Sequence, residues 1–139
     1  MKKLFQTRID ELYLDEDNDK IKSEDNAYAT VIACFLDLDN VEDCIQIQEH
    51  FPNEKNEKDV SWMLVLSYWL EERGYDWGSM DNHLLDGSHY IVIGESFRGT
   101  THVCIYKDGV LWHDPHPDGT GLLTEELFEY IRPNKVILQ

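Results

Sequence analysis

Cations are scarce in this chain: 12 Lys and Arg face 28 Asp and Glu in 139 residues, a formal net charge of −16. Nucleic-acid binding is excluded on that ground, because each phosphate neutralised takes a cation at the contact. Long apolar runs are missing too. Nothing approaches the ~18 consecutive apolar residues of a bilayer span. No basic-then-apolar leader opens the sequence, so neither a membrane span nor a secretory signal is expected. Cysteine is sparse, with three residues at spacings that suggest no pairing. An odd count of this kind offers no disulfide framework and no zinc knuckle, and it fits a reducing cytoplasm. Internal repeats and low-complexity linkers are also lacking.

What is present is the composition of a packed domain. Apolar residues make up 42% of the chain, with four Trp and seven Tyr. The length suffices for one core, so residues 1–139 read as a single domain. The excess acid serves solubility in its simplest reading; a basic peptide or protein partner is the second reading, and DNA mimicry the third. Residues 10–25 are dense in Asp and Glu and read as a solvated surface loop.

Periodicity and punctuation place the elements. A first helix is expected over 26–37, capped from Ser23 to Asn26. Asn40 opens a short second helix carrying Cys44, Ile45 and Ile47. The clearest helix spans 58–73, with Val60, Met63, Leu64, Leu66 and Leu70 on its buried side and Gly74 as C-cap. Strands are expected at 75–77, 89–94, 101–106 and 110–114, then a short capped helix at 124–131 and a last strand at 135–138. Helices first and antiparallel strands afterwards make an α+β domain.

The richest segment runs from Arg98 to Gly119. Thr101–Tyr106 and Val110–His113 are dense in β-branched and aromatic residues, and Lys107-Asp108-Gly109 between them is turn chemistry. A three-residue loop pairs Tyr106 with Val110 and sets His102 opposite Asp114, with Cβ atoms about 4.5–5.5 Å apart. At that spacing a carboxylate fixes an imidazole's tautomer for general-base work. A two-residue Asp-Gly loop shifts the register by one and puts the two side chains on opposite faces.

Further motifs join this one: Gln6-Thr7-Arg8, Asn26-Ala27, Ala33-Cys34-Phe35-Leu36-Asp37-Leu38, Trp62 to Leu70, Ser96-Phe97-Arg98-Gly99-Thr100-Thr101-His102, and His113-Asp114-Pro115-His116-Pro117. Through them the chain resembles, over most of its length, a family of small bacterial and phage proteins of papain-like cysteine-peptidase type. The resemblance implies a papain-like (NlpC/P60-like) fold, with N-terminal helices packed on a small antiparallel sheet, in the cytoplasm of a bacterial host cell. It also implies a nucleophilic Cys at the head of the first helix, where backbone N–H groups and the helix dipole lower a thiol's pKa. His102 would shuttle the proton and Asp114 would orient it. The departure falls on the residue that matters, because the family's Cys is Ala27 here. The chain is then either an inactive natural member or one whose Cys has been replaced.

The resemblance further offers Gln6 as a donor to an oxyanion, although its distance upstream suits a structural role equally. Asn26, Trp62, Arg98 and His116 are candidates for lining a substrate groove. Cys34 reads as a buried small hydrophobe rather than a displaced nucleophile; Cys104 lies on the His102 strand with the same parity, within reach of the site, though strand thiols of this kind are usually core. His102, His113 and His116 with Asp114 could in principle hold a divalent metal, but thiol chemistry needs neither metal nor cofactor, and none is expected. Two functions of different class follow. One is a cysteine-dependent hydrolase, a peptidase or isopeptidase, present in nucleophile-less form. The other is a pseudoenzyme that sequesters a peptide or host protein, for example a phage anti-defence factor. The partner expected in either case is a peptide or protein, a basic one matching the charge.

Overall fold

The computed structural model describes residues 1–9, 25–50 and 61–134. Two helices, α1 (Ala27–Phe35) and α2 (Ser61–Glu71), precede five strands: β1 (Tyr75–Met80), β2 (His89–Glu95), β3 (Thr101–Lys107), β4 (Val110–His113) and β5 (Leu127–Pro133). The strands form one antiparallel sheet in the order β1-β5-β2-β3-β4. The α+β expectation therefore holds. Much of the acidic stretch, residues 51–60 with the start of the 58–73 helix, and the expected last strand lie outside the described residues.

Helix α1 supplies the centre of the core. Every residue from Ala27 to Cys34 is buried, and the helix packs on the sheet face formed by Ile91, Val103, Ile105 and Ile131. Each fully buried aliphatic of this size contributes about 1.5–3 kcal/mol. The helix ends where Asp37 adopts φ +54° and Leu38 N–H returns to the Ala33 carbonyl at 3.0 Å, a left-handed cap. Its other end is held by Asp25 rather than Asn26, with Asp25 Oδ1 accepting the Ala27 N–H at 2.8 Å.

Helix α2 lies on the same face, turned from the expected orientation. Leu66 and Leu70 are buried as expected, but Met63 and Leu64 are 43% and 59% exposed. Trp62, Val65 and Trp69 pack on the core instead. Positions 62, 65, 66, 69 and 70 form one stripe at helical spacing, and 63 and 64 fall off it. Gly74 ends the turn at φ +84°, as the C-cap reading requires.

Two expected helices are not formed. Asn40 does cap, its Oδ1 accepting Glu42 N–H at 3.0 Å, but only a 3-10 turn (Val41–Asp43) follows before Cys44 turns extended; a second such turn covers Ile47–His50. Within the expected 124–131 helix, Glu126 N–H bonds the Ile93 carbonyl at 2.9 Å and the chain becomes β5, inserted between β1 and β2. Thr124 imitates a cap, yet its hydroxyl accepts Glu95 N–H at 2.9 Å. Glu129 disguised the strand's alternation. It points inward with Ile131, accepting from Tyr28 Oη and, at 3.1 Å, from Trp77 Nε1. Its carboxyl pKa is raised by burial, and the two donors oppose that rise.

The β2–β5 junction leaves no room at Gly94, where an added Cβ would lie 1.9 Å from the Thr124 carbonyl oxygen. Backbone cannot yield as a flexible side chain would. Gly94→Ala is therefore expected to cost about 3 kcal/mol or more. A urea midpoint within experimental error of the parent protein's would contradict this packing.

Candidate active site

The β3–β4 hairpin is built differently from the expected three-residue loop. Asp108 and Gly109 both take positive φ, +50° and +81°, and Lys107 pairs with Val110. This is a two-residue turn, favoured because its twist matches the strands' own. Taken alone it would place positions 102 and 114 on opposite faces. The register then slips once more: Tyr106 pairs with Leu111, but Ile105 pairs with His113, leaving Trp112 as a bulged residue. Turn and bulge together restore the parity, and His102 and Asp114 share a face.

They meet there. His102 Nε2 and Asp114 Oδ1 are 2.7 Å apart, with side chains 1% and 2% exposed. The carboxylate is also held from behind. Oδ1 accepts the His116 N–H at 2.9 Å and Oδ2 the Gly121 N–H at 2.8 Å. Burial alone would raise the Asp114 pKa, but the hydrogen bonds from His102, His116 and Gly121 outweigh it and hold the group at about 2. An ionised Asp114 fixes the His102 proton on Nε2, which leaves Nδ1 as the nitrogen that can accept one.

Alternation along β3 sets His102 with Cys104 and Tyr106 on the sheet face away from α1, beside Tyr90 and Val92. The link from the pair to Ala27 is indirect and runs through the N-terminal arm. Gln6 N–H donates to the Pro115 carbonyl at 2.9 Å, next to Asp114. Gln6 Nε2 donates to Asp25 Oδ1 at 2.9 Å and to the Arg8 carbonyl at 3.1 Å. Asp25 Oδ1 in turn accepts the Ala27 N–H. Both groups that could stabilise an oxyanion at position 27, the Gln6 amide and the Ala27 N–H, thus converge on one oxygen of Asp25.

The groove candidates divide. His116 sits over the pair, its ring centroid 6.2 Å from that of His102. Arg98 is tied to it through Asp118: Arg98 Nη1 donates to Asp118 Oδ2 at 2.6 Å, and His116 Nδ1 lies 3.2 Å from Asp118 Oδ1. Asn26 does not line a groove. It is fully buried, accepting Arg8 N–H at 3.0 Å and donating to Thr7 Oγ1 at 2.8 Å and Gln46 Oε1 at 3.2 Å. The Gln6-Thr7-Arg8 motif and Asn26 thus form a clamp that docks the arm on α1. Trp62 belongs to the helix-side core, between Tyr28 and Trp77 at ring-centroid distances of 6.4 and 6.0 Å.

The histidine–aspartate set considered for a metal does not assemble, because His113 faces the other side and bonds the Leu4 carbonyl. A different set does: His102, Cys104 and Asp114 bring one ligating atom each within 4.8 Å of one another. Cys104 is core, as expected of a strand thiol, and its shared face with His102 also brings it within reach of the pair. All three thiols are buried. Burial raises Cys34 to about 11 and Cys44 to about 12, and burial together with the Asp114 carboxylate raises Cys104 further. None is a thiolate at neutral pH. No family model, curated protein or solved structure matches this chain. Among the described residues no helix is long and apolar enough to cross a membrane.

Proposed function

We propose that His102 and Asp114 are the base half of a papain-like thiol-hydrolase site whose nucleophile position, 27, is held by alanine. The observation that carries this reading is the buried 2.7 Å contact through Nε2, with Asp114 held ionised by further donors. That arrangement orients an imidazole and leaves Nδ1 to take a proton from a nucleophile. The attacked bond would be a peptide or isopeptide carbonyl. A Cys at 27 would attack it, His102 would take the thiol proton and Asp114 would stabilise the imidazolium; this requires His102 and the head of α1, on opposite sides of the sheet in this structure, to meet.

The three thiols favour a second reading for the chain as it stands. Each is buried with a raised pKa, so none replaces the missing nucleophile. Without one, the site binds rather than cleaves, and a peptide or protein held beside the linked side chains of Arg98, Asp118 and His116 is the occupant. The net charge of −16 favours a basic one. Restoring the thiol separates the two readings. The Ala27→Cys protein, kept in chelator, should alkylate rapidly through position 27 and lose that reactivity with His102→Ala.

A further inference from the structure

We propose that His102, Cys104 and Asp114 together bind one divalent transition-metal cation of the zinc class. An imidazole nitrogen, a thiol sulfur and a carboxylate oxygen are donors that zinc takes. Here all three are buried, with ligating atoms mutually within 4.8 Å. A tetrahedral zinc centre sets such atoms roughly 3.3–3.6 Å apart. The 2.7 Å between His102 Nε2 and Asp114 Oδ1 must therefore widen slightly, a change within reach of side-chain torsions. The backbone has already done the larger work. Strand alternation puts 102 and 104 on one face, and the turn and bulge bring Asp114 to it. The amides of His116 and Gly121 stand behind Asp114 at 2.9 and 2.8 Å, where outer contacts orient a ligating carboxylate.

A divalent cation with one carboxylate, one thiolate and one neutral imidazole forms a centre of zero net charge. On binding, Cys104 releases its proton to solvent, and the His102 proton moves from Nε2 to Nδ1, so atoms and charge balance. The protein's net charge of −16 raises the cation concentration around it. With its proton on Nδ1, a metal-bound His102 can no longer accept one, so loading and the base role exclude each other. The inference rests on the three ligands and not on the hydrolase reading.

The test uses the chain as it stands. Cobalt(II) should give a thiolate-to-cobalt charge-transfer band that saturates at equimolar metal, and zinc should abolish it. The Cys34→Ala/Cys44→Ala double variant keeps Cys104 as its one thiol and should keep the band, which assigns the ligand without touching the site. His102→Gln, checked for fold by circular dichroism, should weaken zinc binding by about tenfold or more. No band in the unaltered protein, or a band lost in the double variant, overturns the proposal. So does zinc affinity unchanged in folded His102→Gln. The thiol experiment is run in chelator on a different variant, so either reading can fail while the other stands.

Discussion

Ala27→Cys is expected to alkylate roughly tenfold faster at about pH 6 than an ordinary exposed thiol, if its pKa falls from about 8.5 to about 6.5, the larger thiolate fraction being partly offset by its lower nucleophilicity. The head of α1 supplies the dipole for that shift, and the proton acceptor in this reading is His102, which has to reach position 27 from the sheet face away from α1. The native thiols form a quiet background, since burial holds Cys34 at about 11 and Cys44 at about 12 and raises Cys104 as well. Two local terms oppose activation: position 27 is buried, and Asp25 Oδ1 lies 2.8 Å from the residue 27 nitrogen, so both desolvation and a nearby carboxylate disfavour a thiolate there. Asp25→Asn in the Ala27→Cys background should therefore raise the rate further. His102→Ala should return position 27 to the rate of an unassisted thiol. Should the restored Cys react no faster than the native three, the site does not activate a nucleophile and the binding reading stands alone.

Asp114→Ala is expected to be the most destabilising change at the site, by about 3–5 kcal/mol. The loss strands three donors at once: the buried His102 Nε2–H and Gly121 N–H, and the half-buried His116 N–H. Each unsatisfied donor costs about 1–3 kcal/mol. The pH dependence has a definite sign. Asp114 is depressed from 3.8 to about 2 in the folded protein, so its contribution is fully present above about pH 4 and fades as pH falls toward about 2. It amounts to about 2 kcal/mol. Asp114→Asn removes the titration while keeping the shape. Urea midpoints of the two proteins, compared from neutral pH down to about pH 2.5, should converge as the parent loses this term. Parallel curves would mean that Asp114 does not titrate as described; the comparison is needed because many other carboxylates titrate in the same range.

How much of this was legible in the sequence depends on where each element takes its instructions. Strands β2, β3 and β4 carry β-branched and aromatic alternation with a turn dipeptide between them, and local pattern sufficed. Helix α1 was clear because its residues are apolar on every side. β5 was misread because its partners decide it. Leu127-Phe-Glu-Tyr-Ile has no strong strand signature until Glu129 is seen to face Tyr28 and Trp77, and tertiary pairing overrides propensity there. The buried side of α2 was mistaken because Met63 and Leu64 are apolar yet exposed, and hydrophobicity alone does not say which stripe faces in. The meeting of His102 and Asp114 followed from their spacing, but through a loop the chain does not make. A shorter turn and an unforeseen bulge cancel in parity, and no local signal marks Trp112 as the bulged residue. The same parity makes Cys104 legible as a buried strand thiol within reach of the pair.

The cancelling turn and bulge also set what length changes this hairpin can survive. Removing one residue between 103 and 113, at the turn or at Trp112, reverses the facing of everything on one side of the cut relative to the other. Asp114 would then point toward α1 while His102 stayed where it is. A second single-residue deletion or insertion elsewhere in the same interval would bring them back. Length variation in this hairpin should accordingly occur in even steps, or as compensated odd ones, wherever the pair is retained. A library of random single and double indels, selected for a folded protein that keeps the His102–Asp114 contact, should be depleted of odd members.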